Sequence, residues 1–178
     1  DPGAPETLFN LGVAARSLGR DGEAAGRYRA ALEAAPGHLD ARFNLAVLEL
    51  DHGNADEAHR QFVRVAELDP ARVDAWRGAA RAALAAGDAQ AALAVLEDGA
   101  RALADRRELV ADLARLLAAA PDDRVRDGRR ALTLARGLVT GTMPADEVDA
   151  LAKAHAETGD LAEAQAVQRR LVAAIEGS

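Results

Sequence analysis

The chain has 178 residues, enough for a sizeable core; it is 49% hydrophobic but only 3% aromatic, a balance that favours helices with few bulky core side chains. A formal charge of −7 argues against a general attraction to nucleic acid or anionic lipid. The absence of cysteine excludes disulfides, thiolate catalysis and thiolate metal sites, and no apolar run approaches the roughly 18 residues of a membrane span.

The first stretch, DPGAPETLFNLG, places Pro2 ahead of an apolar helix start, and the same arrangement returns at Pro36 and Pro70, 34 residues apart each time. A period of this length predicts stacked supersecondary units. The first unit spans 5–38, with a helix carrying Gly12, a stop at Gly19 and a second helix carrying Ala24 and Tyr28. The second spans 39–72, with Ala46, Gly53, Ala58 and Phe62 in the same places, and the third spans 73–106, with Ala80, Gly87, Ala92 and Leu96. Each set has a physical role. Small residues let two helices approach closely, the bulky residue four positions on plugs the space between successive hairpins, and glycine adopts the left-handed conformation that ends a helix. Asn54 to Glu57 (NADE) reads as a capping box.

A fourth unit, 107–144, continues with Val110, Leu113, Ala114 and Leu117, then departs at PDDRVRDG (121–128), an insertion before an amphipathic helix marked by Ala131, Leu134, Ala135, Leu138 and Val139. Within the insertion Asp127 is expected to cap that helix, Val125 to bury, and Arg124 or Arg126 to pair with Asp122 or Asp123 as a structural clasp. The competing reading is a partner-binding loop. The fifth unit, 145–178, has Val148, Leu151, Ala152, Gly159 and Ala164, with a second capping box at Asp160 to Glu163. There Gln168 occupies the plug position, followed by Arg169 and Arg170, so this unit is expected to close the array with a polar face. Asp1-Pro2 matches Asp69-Pro70 two periods on, which leads us to expect a piece of a longer chain beginning on the last turn of a preceding unit.

This pattern closely resembles the tetratricopeptide repeat, with its W-x2-L-G-x2-Y, A-x3-F and P signature. Leu8, Leu11, Gly12, Ala24, Tyr28 and Pro36 match in the first unit, Leu45, Ala46, Ala58, Phe62 and Pro70 in the second, and Trp76 and Ala92 in the third; Arg42 stands where Trp is expected. The stretch LARLLAAAPDDRVRDGRRALTLARGL is similar to the closing section of many bacterial tetratricopeptide proteins. The resemblance implies an all-α fold, a right-handed α-solenoid of antiparallel helix hairpins with about ten helices, forming a single array over 1–178.

Catalytic chemistry finds little support. No Ser stands with a His and a carboxylate at a recognised spacing, and no Gly-rich loop joins a strand to a helix. His52 and His59 lie on either side of the Gly53 turn, a spacing that does not converge on a metal, so solvated histidines are expected there. Neither a catalytic residue, a metal site nor a cofactor is expected.

The resemblance also implies that first helices line a concave groove suited to an extended protein segment. Asn10 and Asn44 share one groove position and resemble the start of the asparagine ladder in O-linked N-acetylglucosamine transferase repeats, a ladder that Gly78 breaks. Asn can donate and accept at once and so grip a peptide backbone. Beside them lie Phe9, Val13, Phe43 and Val47, an apolar patch whose alternative role is hairpin packing. Further along the groove, Arg77, Arg81, Arg115 and Lys153 point to an acidic segment of the partner. Arg77, Arg115 and Lys153 each have a carboxylate three or four residues away (Asp74, Asp112, Asp149), whereas Arg81 has none in its helix. The always acidic second position (Glu6, Asp40, Asp74, Glu108, Asp146) suits the helix dipole without a ligand. The carboxylate clamp of chaperone-binding repeats requires basic or amide groups where Phe9, Val13, Asp74 and Gly78 stand; only Asn44 fits, which argues against chaperone tails. The expected function is a non-catalytic interaction scaffold. Its alternatives are self-assembly into a homo-oligomer and a targeting arm of an enzyme encoded upstream.

Overall fold

Glycine sets the turns. Gly19, Gly53, Gly87 and Gly159 adopt φ of 71, 82, 80 and 83°, the left-handed region in which a Cβ is strained. In three of these turns the next residue then donates its N–H five residues back, Arg20 to Ala15 at 3.0 Å, Asn54 to Glu49 at 2.8 Å and Asp160 to His155 at 2.9 Å. These bonds close the helix ends onto carbonyls of their last turns.

The structure is a computed structural model in which residues 3–138 and 145–176 are described; among them lie ten α-helices and no strand. They fall into two compact units, 1–87 and 88–178. Asp1, Pro2 and Val139, and the side chains of Gln168 and Arg170, lie outside the described residues.

The first unit contains α1 (Pro5–Ser17), α2 (Asp21–Ala34), α3 (Leu39–Asp51), α4 (Ala55–Leu68) and α5 (Val73–Ala85), each packed on the next. Its close approaches depend on residues without bulk. A Cβ at Gly12 would lie 2.5 Å from the Tyr28 ring, and one at Gly78 would lie 2.8 Å from the Phe62 ring. Gly78 is therefore a buried packing residue at the α4–α5 contact rather than a gap on an open groove. Tyr28, fully buried, shares a cluster with Ala15, Ala24, Leu45 and Leu48, while Phe62 is 2% exposed.

Tyr28 Oη is buried and has no hydrogen-bond partner among the described residues, and burial raises the pKa of the phenol. An unsatisfied buried hydroxyl costs about 1–3 kcal/mol. Tyr28→Phe keeps the ring and removes that cost, so chemical denaturation is expected to give a midpoint equal to or above that of the parent. A marked fall would mean that the hydroxyl is satisfied.

The NADE capping box does not form. Asn54 makes no cap bond and instead donates through Nδ2 to Glu49 Oε2 at 2.7 Å, because Glu49 is buried and also accepts from Arg29 Nη2 at 2.5 Å. The charge-assisted bond from Nδ2 to a buried carboxylate fixes the orientation of the amide, and its Oδ1 makes no bond to the N–H groups at the helix start.

The second unit contains α6 (Ala89–Ala102), α7 (Arg107–Ala119), α8 (Gly128–Gly137), α9 (Ala145–Glu157) and α10 (Leu161–Glu176). Here α7 packs on α6, α8 and α9, and α9 also packs on α10. Ala111, Ala114 and Ala118 on α7 and Ala150 and Ala154 on α9 are all buried, small enough for the two helices to lie directly against each other. Asp127 caps α8 by accepting from Arg130 N–H at 3.0 Å, and Asp160 accepts from Glu163 N–H at 3.3 Å, the half of the second capping box that does form.

Candidate functional site

In the first unit the residues proposed for ligand contact lie on α1, α3 and α5. Ion pairs tie the neighbouring helices together, Arg16 to Asp51 at 3.2 Å near their C-terminal ends, while Arg72, just before α5, reaches Asp40 at 2.7 Å at the start of α3. At the acidic second position Asp40 and Glu6 thus have local partners as well as the helix dipole, since Glu6 also lies 3.3 Å from His38.

The two phenylalanines are half-buried and engaged in packing. Phe9 lies tilted against Tyr28 and His38 with ring centroids 6.0 and 5.0 Å away, while Phe43 meets Phe62 edge-on at 5.3 Å and carries the Arg72 guanidinium 4.2 Å over its ring. Asn10 and Val13 are exposed, Asn44 and Val47 half-buried, and neither asparagine side chain makes a hydrogen bond among the described residues. Arg77 is half-buried and already engaged. Arg81, one turn on, is exposed and has no hydrogen-bond or ion-pair partner among the described residues.

In the second unit both basic candidates are neutralised on their own helices, Arg115 by Asp112 and Lys153 by Asp149 at 2.8 Å. The histidines are less solvated than expected. His59 bonds the Ala79 carbonyl at 3.0 Å, His38 caps α3 by accepting from Ala41 N–H at 3.3 Å, and His155 is buried; only His52 is largely exposed. Among the described residues no group of His, Cys, Asp or Glu side chains could hold a metal ion. No described helix is long and apolar enough to cross a membrane.

The sequence model of the tetratricopeptide repeat matches residues 1–38, 9–58 and 43–108, well over half of the chain. The chain belongs to the tetratricopeptide-repeat family. No curated protein matches its sequence. Solved structures similar to this tetratricopeptide chain include pilF of Pseudomonas aeruginosa, with 17% identity, a TM-score of 0.74, and coverage of 100% of this chain and 79% of that one. A putative kinesin light chain from Podospora anserina with nearly identical tetratricopeptide-like repeats has 19% identity, a TM-score of 0.72, and coverage of 97% and 95%. The Thermobaculum terrenum O-GlcNAc transferase K341M mutant has 21% identity and a TM-score of 0.55, matching 75% of this chain but 26% of that enzyme. These likenesses establish the fold, and tetratricopeptide repeats are in general protein-interaction scaffolds.

Within that fold the Arg at the expected Trp position proves functional in packing. Trp76 donates from Nε1 to the Pro70 carbonyl at 3.0 Å, and Arg42 in the preceding repeat donates from Nη2 to the Pro36 carbonyl at 2.8 Å. Both side chains tie the first helix to the proline turn six residues back. Arg42 also donates from Nη1 to Gln61 at 2.6 Å, across to the neighbouring helix.

Gln61 in turn donates to Glu57 at 2.5 Å, and this bond, with that from Arg60, holds the Glu57 carboxyl below its ordinary value of 4.5. A carboxyl with a lower pKa in the folded state adds stability above the unfolded value, and that stability is lost as pH falls through the folded value. Urea midpoints of the tetratricopeptide chain are accordingly expected to decline on acidification below 4.5, with a shallower decline in Glu57→Gln. Superimposable profiles would remove Glu57 from the acid response.

Sequence reasoning missed Arg72, Glu49, Arg107 and Glu147, whose partners lie on other helices. For the insertion between α7 and α8 it expected a clasp, against a partner-binding loop as the competing reading. There Val125 is buried, Arg124 pairs with Asp122 at 2.8 Å, Arg126 pairs with Asp123 and, at 3.2 Å, with Glu157, and Asp127 N–H donates to the Leu117 carbonyl at 2.8 Å. These are the contacts of a clasp.

Proposed function

We propose that this tetratricopeptide chain is a non-catalytic scaffold of five repeats, and that the face of α1, α3 and α5 binds an extended protein segment carrying an acidic side chain. The observation that carries this reading is Arg81, exposed and without a partner among the described residues while Arg115 and Lys153 are paired. An unpaired guanidinium is the group best able to gain a charge-assisted bond from a carboxylate. The uncommitted amides of Asn10 and Asn44 support the same reading, since each can hold a peptide main chain.

Peptides selected by display on the intact chain should be enriched in Asp or Glu. Arg81→Ala is expected to weaken the best of them by about 1–3 kcal/mol, and Asn44→Ala by less. Selected peptides that bind Arg81→Ala and Asn44→Ala as tightly as the parent would overturn the assignment.

A second reading, self-assembly, has its own observation. Leu11 is 43% exposed, while the residues in the same register of later first helices, Leu45, Leu113 and Leu151, are 5%, 3% and 8% exposed. Leu18, the C-cap residue just past α1 and seven residues on, is 67% exposed. Such a stripe supports docking onto another copy. Sedimentation over a concentration series tests it: mass should rise with concentration and Leu11→Asp should abolish the rise, whereas constant mass rules it out.

A further inference from the structure

The 34-residue period puts Val13, Val47 and Arg81 at one register position, so they form a single row across the face of α1, α3 and α5. The row changes character along its length. Val13 is 43% exposed, Val47 is half-buried, and Arg81 is exposed without a hydrogen-bond or ion-pair partner among the described residues. Beside it, three residues earlier on each helix, run the uncommitted amides of Asn10 and Asn44, a row that ends at the buried Gly78.

The charges that flank Val13 and Val47 are already paired. Arg16 is tied to Asp51 at 3.2 Å, Arg72 to Asp40 at 2.7 Å, and Glu6 lies against His38. On α5 the positions within a turn of Arg81 hold Arg77, Gly78, Leu84 and Ala85, and the nearest carboxylate of that helix, Asp74, is two turns away. Leu84 is 43% exposed, so Arg81 is a cation bordered by apolar surface.

An apolar end and a cationic end on one row dictate a distance. Packed helices stand about 8–10 Å apart, which with α3 in between places Val13 about 16–20 Å from Arg81. An extended chain advances about 3.3 Å per residue, so about five to six residues cover that span. Such a chain also turns every second side chain to the same face, and two side chains that both meet the row are therefore an even number of residues apart.

We propose that this face selects its segment by spacing: an aliphatic side chain seated on Val13 and an acidic one on Arg81, about six residues apart, with the main chain between them held by Asn10 and Asn44. The inference rests on the acidic-segment reading above and adds to it an apolar determinant and a ruler. Apolar surface covered at Val13 contributes where no charge is present, and the carboxylate at Arg81 fixes the register.

The test is an anisotropy titration of the full chain with fluorescein-labelled peptides in which Ser and Thr set one Leu and one Glu three to nine residues apart, in both orders. In one of the two orders the separation of six should bind several-fold more tightly than five or seven, and replacing its Leu by Ser should weaken it roughly tenfold. Val13→Ser should erase the difference between the Leu and Ser peptides. That variant changes an exposed side chain, and the Leu-to-Ser comparison lies wholly in the peptide, so the result does not depend on a variant's fold. Binding that requires Arg81 but is indifferent to Leu or to separation would overturn the ruler and leave the acidic-segment reading standing. Binding unaffected by Arg81→Ala, or no saturable binding, would overturn both.

Discussion

Phe62→Ala is expected to lower the unfolding free energy of residues 1–87 by about 3–5 kcal/mol, the range for deleting a buried aromatic side chain. The ring is 2% exposed, meets Phe43 edge-on at 5.3 Å, and leaves so little room on its other side that Gly78 cannot carry a Cβ without a shift. Its removal therefore opens a cavity between α4 and α5 and releases Phe43 at the same time. The partner substitution gives the complementary result: Gly78→Ala, whose Cβ would sit 2.8 Å from the ring, should cost about 1–3 kcal/mol by overpacking. Placed together, Gly78→Ala and Phe62→Leu should be less damaging than the sum of the two, because the smaller side chain yields the space that the new methyl needs. Denaturant midpoints of the four proteins form the cycle. Strict additivity would mean that the two residues do not share one packing contact.

The second large effect belongs to Glu147. Its register position in the other repeats holds Thr7, Ala41, Ala75 and Leu109, and of these Ala41, Ala75 and Leu109 are fully buried. Glu147 is buried in the same way, with its side chain 3% exposed, and its carboxylate is met by Arg107 through Nε at 2.8 Å and Nη2 at 2.6 Å. Arg107 also donates to the Leu138 carbonyl, joining α7, the end of α8 and α9 at one guanidinium. A buried carboxylate robbed of its partner is strongly destabilising, whereas replacing both members by apolar residues is often neutral. Arg107→Ala should thus depress the midpoint of residues 88–178 more than any exposed arginine substitution, and Arg107→Leu/Glu147→Leu should restore most of it. A double variant as unstable as Arg107→Ala would show that the pair contributes through its hydrogen bonds to the backbone rather than by balancing a buried charge.

These two cases mark how far the chain could be understood before its tertiary structure was known. The glycine turns were legible because a left-handed residue is a local requirement, and Gly19, Gly53, Gly87 and Gly159 meet it at the expected places. Asp127 was legible as a cap for the same reason: its bond to Arg130 N–H lies within three residues. Asn54 carried the same local signal and failed it, because Glu49 competes for the amide. The contact candidates divide similarly. Spacing alone placed Arg115 and Lys153 as groove contacts, with pairing to Asp112 and Asp149 as the alternative that the structure shows, and left Arg81 with no carboxylate in reach on its own helix. It could not separate Phe9 and Phe43 from a ligand surface, because their packing partners His38, Phe62 and Arg72 come from other turns and helices.

The sequence by itself determined that this chain is a helical repeat and where the glycine turns end its helices, since period, glycine placement and small-to-bulky spacing act over a single hairpin. Only the tertiary structure decided which charges are spent on one another. Glu147 became the buried partner of Arg107, and Arg129 stayed an exposed cation without a side-chain partner among the described residues, because each outcome depends on side chains that lie far apart in the chain and meet only when helices pack.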